Sequence, residues 1–164
     1  MKYCMECGCE LTEKYLDNEG MIPFCSECNE YRFPVFSTAV SMVVMNKNQN
    51  KILLIKQYGK DNFVLVAGYV NKGEDAETAV VREVSEELGL DVVGLTFNKS
   101  QYFKPSNTLM LNFSCVVSDE CLDNVNDEVD YAEWFSFDDA RKNIMDKSLA
   151  KEFLENFLDN KKST

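Results

Sequence analysis

Two closely spaced pairs of cysteines near the start of the chain constrain its fold more than any other feature. Cys4 and Cys7 form one CxxC pair, Cys25 and Cys28 form another, and 17 residues separate the pairs. Two residues between thiolates let both sulfurs reach one ion, and four thiolates complete the tetrahedral shell that structural Zn²⁺ prefers. A turn signal at residues 17–20 lies between two strand-like stretches, so this segment is predicted to be a small Cys4 zinc ribbon.

The spacing of the cysteines leaves other roles for these thiols open. They can be buried or redox-active cysteines, and Cys9 is a spare thiol that can compete with Cys7 as a ligand. A segment this short has no room for a hydrophobic core of its own, which favours the metal. A closed Cys4 site leaves no open coordination position, so one Zn²⁺ is expected to fold the ribbon and to catalyse nothing.

Downstream of the cysteines, the hydrophobic pattern changes to strands and two helices. The strand predicted at residues 38–45 is apolar on both faces and is therefore expected to be central. One helix is predicted from Glu74 to Leu88 with Gly89 as its stop, and Ser148 caps a final amphipathic helix. This order predicts an α+β fold, in which helices pack against a mixed sheet. The remaining predicted strands cover residues 51–55, 63–66, 92–103, 109–117 and 133–137.

The charge of the chain excludes several functions. Its 164 residues include 17 Lys and Arg, 28 Asp and Glu and no His, which gives a net charge of −11. So acidic a chain has no general attraction for nucleic acid, and phosphate chemistry would need a bound cation. Without His, acid–base work falls to carboxylates, Lys, Tyr or Cys. No apolar run is long enough for a bilayer and no signal region is visible, so a cytoplasmic protein with no membrane partner is expected.

Three glutamates lie on one face of the first predicted helix. Glu83, Glu86 and Glu87 stand at positions i, i+3 and i+4, and Glu83 and Glu87 border the apolar positions of that helix. Like charges repel each other, and placing them near a core adds a desolvation cost. A hard divalent cation such as Mg²⁺ or Mn²⁺ removes both penalties. A solvated acidic helix face is the alternative that the charge pattern alone leaves open.

A longer motif encloses this helix. It specifies nine positions in 23 residues: Gly68, Glu74 after five residues, and then, after seven more, Arg82-Glu83-Val84-x-Glu86-Glu87-x-Gly89-Leu90. The motif resembles the Nudix box at every defined position, and the chain is identified by it as a member of the Nudix hydrolase family. The resemblance implies a Nudix α/β/α sandwich and hydrolysis of a nucleoside diphosphate linked to another group.

The resemblance also implies roles for the motif residues. Glu83 and Glu87 would hold catalytic Mg²⁺ or Mn²⁺, Glu86 would assist as a ligand or base, and Arg82 would orient a box glutamate. Glu74 is expected to cap the helix and pair with Arg82. The physical account agrees, since metal ions neutralise a diphosphate, acidify the attacking water and hold it in line.

Outside the box, the chain resembles the zinc-ribbon NADH pyrophosphatase branch of this family. The branch places a ribbon directly before the Nudix domain, here residues 1–34 and residues 35–164. Glu128, six residues before Trp134, matches an acidic metal ligand that a loop supplies. The other matching segments are Arg32-Phe33-Pro34, Ser100-Gln101, Thr108-Leu109-Met110 and Ser148-Leu149-Ala150.

The same branch implies where the substrate binds. Tyr69 and, in a homodimer, Phe33 of the partner subunit would sandwich the adenine, and Gln101 and Ala150 would complete the substrate-binding set. A flat base gains from stacking on an aromatic ring on each side, although core or interface packing is the alternative for both rings. After Ser-Gln the family has Pro-Trp-Pro-Phe-Pro, whereas residues 102–106 here are Tyr-Phe-Lys-Pro-Ser, which leaves the preference for nicotinamide open.

Three functional hypotheses follow from the sequence. The first is a metal-dependent pyrophosphohydrolase that cleaves NADH or a related adenosine dinucleotide, such as NAD or ADP-ribose, to AMP and a second phosphorylated product. The second keeps this chemistry but uses another small-molecule nucleoside diphosphate derivative, such as a nucleotide sugar. The third is a non-catalytic sensor of a nucleotide metabolite, against which the complete set of box carboxylates argues.

Overall fold

A computed structural model describes residues 1–161 and divides the chain into two compact units, Met1–Phe36 and a second unit that begins at Ser37. The first unit contains a three-stranded antiparallel sheet in the order β1-β2-β3. Its strands are β1 (Thr12–Leu16), β2 (Gly20–Cys25) and β3 (Glu30–Tyr31). The predicted turn joins β1 to β2, with Asn18 and Gly20 at positive φ.

The second unit is built on a six-stranded mixed sheet with three helices. Strands β7, β8, β4, β5 and β9 follow one another across the sheet, and β6 pairs with β4. The pairing of β4 with β8 is parallel, while the other pairings are antiparallel. The elements are β4 (Ser37–Met45), β5 (Lys51–Gln57), β6 (Val66–Tyr69), α1 (Ala76–Leu88), β7 (Val92–Phe103), β8 (Thr108–Val117), β9 (Val129–Ser136), α2 (Phe137–Asn143) and α3 (Leu149–Lys161).

Strand β4 is central and buried on both faces, as its continuous apolar sequence predicts. Val40, Met42 and Val44 belong to one core cluster, which α1 completes with Val80, Val84 and other side chains. Val43 and Met45 belong to a second cluster, which α2 and α3 complete from the opposite face of the sheet. Helices therefore cover both faces, and the predicted α/β/α sandwich with a mixed sheet is confirmed.

Several element boundaries differ from the sequence predictions. Helix α1 begins at Ala76 because the side chain of Asp75, and not that of Glu74, accepts the hydrogen bond from the Thr78 backbone at 2.7 Å. In the strand predicted at residues 63–66, the continuous ladder starts only at Val66, and Phe63 and Val64 make isolated bridges. The last predicted strand begins earlier, at Val129, and Phe137 starts α2, a helix that the sequence pattern did not predict. None of the helices within residues 1–161 is long and apolar enough to cross a membrane.

Candidate active site

Helix α1 and strand β6 place the motif glutamates. Gly89 ends α1 in the left-handed conformation (φ 67°), and its backbone N–H donates to the Ser85 carbonyl at 3.0 Å. On the β6 side, Gly68 pairs with Val40 of the central strand and faces α1 so closely that a Cβ atom there would overlap the Glu83 carboxylate. The motif therefore needs glycine at position 68 for close approach of strand and helix, which lets Glu83 lie between them.

Arg82 ties the carboxylates to one another and to β6. Its Nη1 donates to Glu83 at 2.7 Å and to Glu86 at 3.0 Å, and its Nε donates to Glu74 at 2.8 Å. Its Nη2 reaches the Tyr69 carbonyl at 3.0 Å. The pKa of Glu74 is lowered chiefly by its hydrogen bond from Arg82. A second hydrogen bond, from the Asn71 backbone N–H, lowers it further. Arg82 thus contacts three motif glutamates directly and connects the helix to the strand.

Three carboxylates converge on one cavity of about 380 Å³ in the second unit. Glu83 and Glu87 come from α1, and Glu128 comes from the loop before β9. Glu86 does not line this cavity; its side chain is 58% exposed and turned to Arg82. The described lining contains no Lys or Arg side chain: Ala39, Tyr58, Ala67, Gly68, Tyr69, Asn71, Glu83, Glu87, Ser106, Thr108, Met110 and Glu128.

Glu87 is the most perturbed acid of the cavity. The residue is only 4% exposed, and its buried Oε2 atom has no hydrogen-bond partner within residues 1–161. Burial raises the pKa of Glu87 to about 7, and the negative charges of Glu83, Glu128 and Glu86 add to the effect. A buried carboxylate oxygen without a partner, beside other carboxylates, fits a hard divalent cation such as Mg²⁺ or Mn²⁺. Among the described residues, the oxygens of Glu83, Glu87 and Glu128 do not all lie within 4.8 Å of one another.

Of the four residues predicted to bind the substrate, Tyr69 lines the cavity and the other three do not. Tyr69 is exposed and lines the cavity. Gln101 donates to Glu152 at 2.9 Å, and Ala150 packs against the second core cluster; neither lines the cavity. Phe33 belongs to the first unit, where its ring is half exposed.

Sequence reasoning missed several lining residues. Ser106 reaches the cavity from the short turn between β7 and β8, Thr108 reaches it from the first position of β8, and Tyr58 reaches it from the turn after β5. For Ser106 and Thr108, the one sequence signal is the match of residues 108–110 to a family motif. No periodicity or spacing indicates Tyr58, because its place follows from the packing of β5 beside β9.

The four paired cysteines of the first unit do converge on one point. The Sγ atoms of Cys4, Cys7, Cys25 and Cys28 all lie within 4.8 Å of one another, with Cys4 and Cys28 at 3.9 Å and Cys7 and Cys25 at 3.4 Å. Four sulfurs around one Zn²⁺ stand ~3.8 Å apart, so the cluster fits this ion. Cys9 is not part of the group.

Arg32 adds a cation beside these thiols. Its Nε donates to Cys4 Sγ at 3.3 Å, and its Nη atoms donate to Glu6 at 2.8 Å and Glu30 at 2.6 Å. Backbone N–H groups of Cys7 and Glu6, followed by Arg32, lower the pKa of Cys4 to about 6. The Cys4 thiol is therefore held ready to bind as a thiolate.

Comparison with known proteins agrees with this geometry. The family model described as "NUDIX domain" matches residues 35–157. The "NAD-capped RNA hydrolase NudC" of Pseudomonas aeruginosa (strain LESB58) is 31% identical over 160 residues, which are 96% of this chain and 55% of that relative. The chain thus spans about half the length of the relatives it matches.

Two solved structures share the fold. A NUDIX hydrolase from Nitrosomonas europaea superposes with a TM-score of 0.69 at 18% identity, over 99% of this chain and 93% of that one. The NUDIX domain of Shewanella oneidensis NrtR complexed with ADP ribose gives a TM-score of 0.64 at 13% identity, over 84% of this chain and 93% of that one. Since the family model and the NudC similarity both extend over most of the chain, it belongs to the Nudix hydrolase family and is related to NudC.

Proposed function

We propose that this protein hydrolyses the diphosphate linkage of NADH or a related adenosine dinucleotide, such as NAD or ADP-ribose, to AMP and a second phosphorylated product. The observation that carries this proposal is the buried, unpartnered Oε2 of Glu87 in one cavity with Glu83 and Glu128. A nucleotide sugar hydrolase would use the same carboxylates. The adenosine dinucleotide is favoured because the matched P. aeruginosa relative is named for an NAD-capped substrate.

The cavity residues have distinct roles in this proposal. Glu83, Glu87 and Glu128 would hold Mg²⁺ or Mn²⁺, which supplies charge neutralisation and an acidified water at the diphosphate. Arg82 holds the Glu83 carboxylate in place through its bond at 2.7 Å. Glu86 would have to release Arg82 before it could act as a ligand or base, because its Oε2 accepts from Arg82. Arg82 is therefore a positioning residue that contacts no substrate.

The first unit would be a zinc ribbon over residues 1–34, followed by the Nudix domain at residues 35–164. Its four clustered thiols support one Zn²⁺ per chain with a structural role. Cys25 is fully buried in this cluster, so Cys25→Ser should lose the zinc and unfold the ribbon. Metal analysis and thermal melting test this expectation, and a zinc-free parent protein with an unchanged melting curve would contradict it.

We further propose that the protein is a cytoplasmic homodimer in which Phe33 of the partner subunit covers the base bound near Tyr69. The exposed rings of Phe33 and Tyr69 support this arrangement, because each leaves an aromatic face available to a base. None of the seven cysteines, all of which lie within residues 1–161, forms a disulfide, and this fits a reducing compartment.

A substrate panel tests the proposed function directly. Purified protein is incubated with Mg²⁺ or Mn²⁺ and with NADH, NAD, ADP-ribose, a nucleotide sugar or NAD-capped RNA, and AMP release is measured. We expect free dinucleotides to be hydrolysed faster than capped RNA, since the chain carries a net charge of −11 and the described cavity lining has no cationic side chain. Absence of AMP from every adenosine dinucleotide would overturn the proposal.

The second candidate is hydrolysis of another nucleoside diphosphate derivative. It is favoured by the changed residues 102–106, which form the end of β7 and a short 3₁₀ turn at Lys104–Ser106. Ser106 of this turn lines the cavity, where it would face the group joined to the diphosphate. Faster turnover of a nucleotide sugar than of any dinucleotide in the same panel would establish this candidate.

A further inference from the structure

Tyr58 occupies a strained and anchored position directly after β5. Its backbone is in the left-handed region (φ 58°), and Gly59 follows with φ 65°. This region is strained for a residue with a Cβ atom, so the rest of the structure must hold Tyr58 there. The Gly59 backbone N–H donates to Asp130 Oδ2 at 2.7 Å, which fastens the turn to β9. Backbone strain of this kind is concentrated at functional sites.

The side chain of Tyr58 lines the cavity that holds the carboxylates. It is 68% exposed, and among residues 1–161 its hydroxyl makes no hydrogen bond. Partial burial raises the pKa of Tyr58, followed by the negative charges of Glu128, Glu87 and Glu83. The phenol therefore lies within electrostatic reach of all three carboxylates and keeps its proton at neutral pH.

The cavity has few donors for an anionic substrate. Its described lining contains three carboxylates and no Lys or Arg side chain. The hydroxyls of Ser106 and Thr108 bond to each other at 2.8 Å, and the Thr108 hydroxyl donates to the Ser106 carbonyl at 3.1 Å, so these two bonds can occupy both hydroxyl protons. A diphosphate presents several anionic oxygens, and those that no metal ion binds need an N–H or O–H donor. A neutral phenol can donate such a bond without placing a positive charge beside the carboxylates, where a Lys would compete with the metal ion.

We propose that the Tyr58 hydroxyl donates a hydrogen bond to a diphosphate oxygen of the bound nucleotide, as a substrate-contacting residue of the cavity. This inference deepens the proposed function and rests on it for the identity of the ligand class. The strained backbone and the Gly59–Asp130 bond fix the main chain of Tyr58 beside the cavity that the carboxylates line. The contact would recognise the diphosphate itself and would not distinguish the groups joined to it.

The test compares binding of ADP and AMP by calorimetry, each with Mg²⁺, to the parent protein and to Tyr58→Phe. Phenylalanine keeps the ring and removes only the donor. We expect the affinity for Mg²⁺–ADP to fall roughly 10-fold or more, as is usual for a lost bond to a charged group. The affinity for Mg²⁺–AMP should change less than about two-fold, because AMP has no diphosphate. Tyr131→Phe is the matched control, since Tyr131 is also exposed but donates to Glu133 outside the cavity.

The outcomes separate this inference from the proposed function. A loss of Mg²⁺–ADP affinity in Tyr58→Phe supports the contact even if no dinucleotide is hydrolysed, in which case only the proposed function fails. Parent-like affinity of Tyr58→Phe for Mg²⁺–ADP overturns the contact even if dinucleotides are hydrolysed. An equal loss for ADP and AMP, or no binding of Mg²⁺–ADP by the parent, overturns it as well. Circular dichroism of each variant verifies that its fold is intact.

Discussion

Replacing Glu87 by Gln should remove both a pH-dependent loss of stability and most of the activity. The folded protein without Mg²⁺ or Mn²⁺ keeps a proton on Glu87 up to about pH 7, whereas an ordinary glutamate releases it near 4.5. Between these values the folded state holds more protons than the unfolded state, so stability falls as pH rises. The loss is complete above about pH 7 and amounts to about 3 kcal/mol, at ~1.4 kcal/mol per pH unit.

The glutamine variant lacks this loss because its amide does not ionise. The buried amide has its own cost, about 1–3 kcal/mol if it finds no partner, but that cost does not vary with pH. The measurable quantity is therefore the difference in unfolding free energy between variant and parent, which should grow by about 3 kcal/mol between about pH 4.5 and pH 8. Urea denaturation of zinc-loaded protein without added Mg²⁺ or Mn²⁺ measures it.

The same substitution should abolish most of the catalysis. Loss of a metal-binding charge removes several kcal/mol of transition-state stabilisation, so AMP release with Mg²⁺ should fall roughly 10²-fold or more. Glu86→Gln is the matched control for stability, because Glu86 belongs to the same helix but has an exposed side chain paired with Arg82. Its difference from the parent should vary with pH much less than that of Glu87→Gln, because Glu86 is the weakest of the three charges that raise the pKa of Glu87. The reasoning would be refuted if the difference in unfolding free energy between Glu87→Gln and the parent did not change with pH. Parental activity of this variant would refute it as well.

Three further variants test other parts of the site. Arg32→Met removes the hydrogen-bond donor to Cys4. It should speed the release of Zn²⁺ to a colorimetric chelator by roughly 10- to 100-fold, which is the size of effect typical of mutations beside metal ligands. Release at the rate of the parent protein would contradict a role of Arg32 in holding the zinc site. Gly68→Ala places a Cβ against the Glu83 carboxylate and should lower kcat/KM by roughly 10²-fold while the chain still folds, which kinetics and circular dichroism together measure. Phe33→Ala should raise KM by a factor that corresponds to ~1–3 kcal/mol while metal binding is retained, and a fully active monomer in light scattering would defeat the dimeric clamp.

The sequence by itself determined those features that depend on neighbours along the chain. Two CxxC pairs around a turn specify a four-thiol site because each pair closes locally, and the four sulfurs do converge. The spacing of Glu83, Glu86 and Glu87 fixes their common side of a helix through its 3.6-residue period. The continuous apolar run at residues 38–45 likewise identified the central strand, since only a strand covered on both faces can bury such a run.

Only the tertiary structure decided which of these groups share a site. The helical period places Glu87, unlike Glu86, beside the apolar positions of α1, but only the packing of α1 on the sheet buries Glu87 without a partner among the described residues and leaves Glu86 exposed beside Arg82. Glu128 and Tyr58 reach the same cavity because β5 pairs with β9, a contact between segments some 70 residues apart. Local periodicity carries no information on such pairings: they are selected by the burial of the whole sheet, to which every strand contributes.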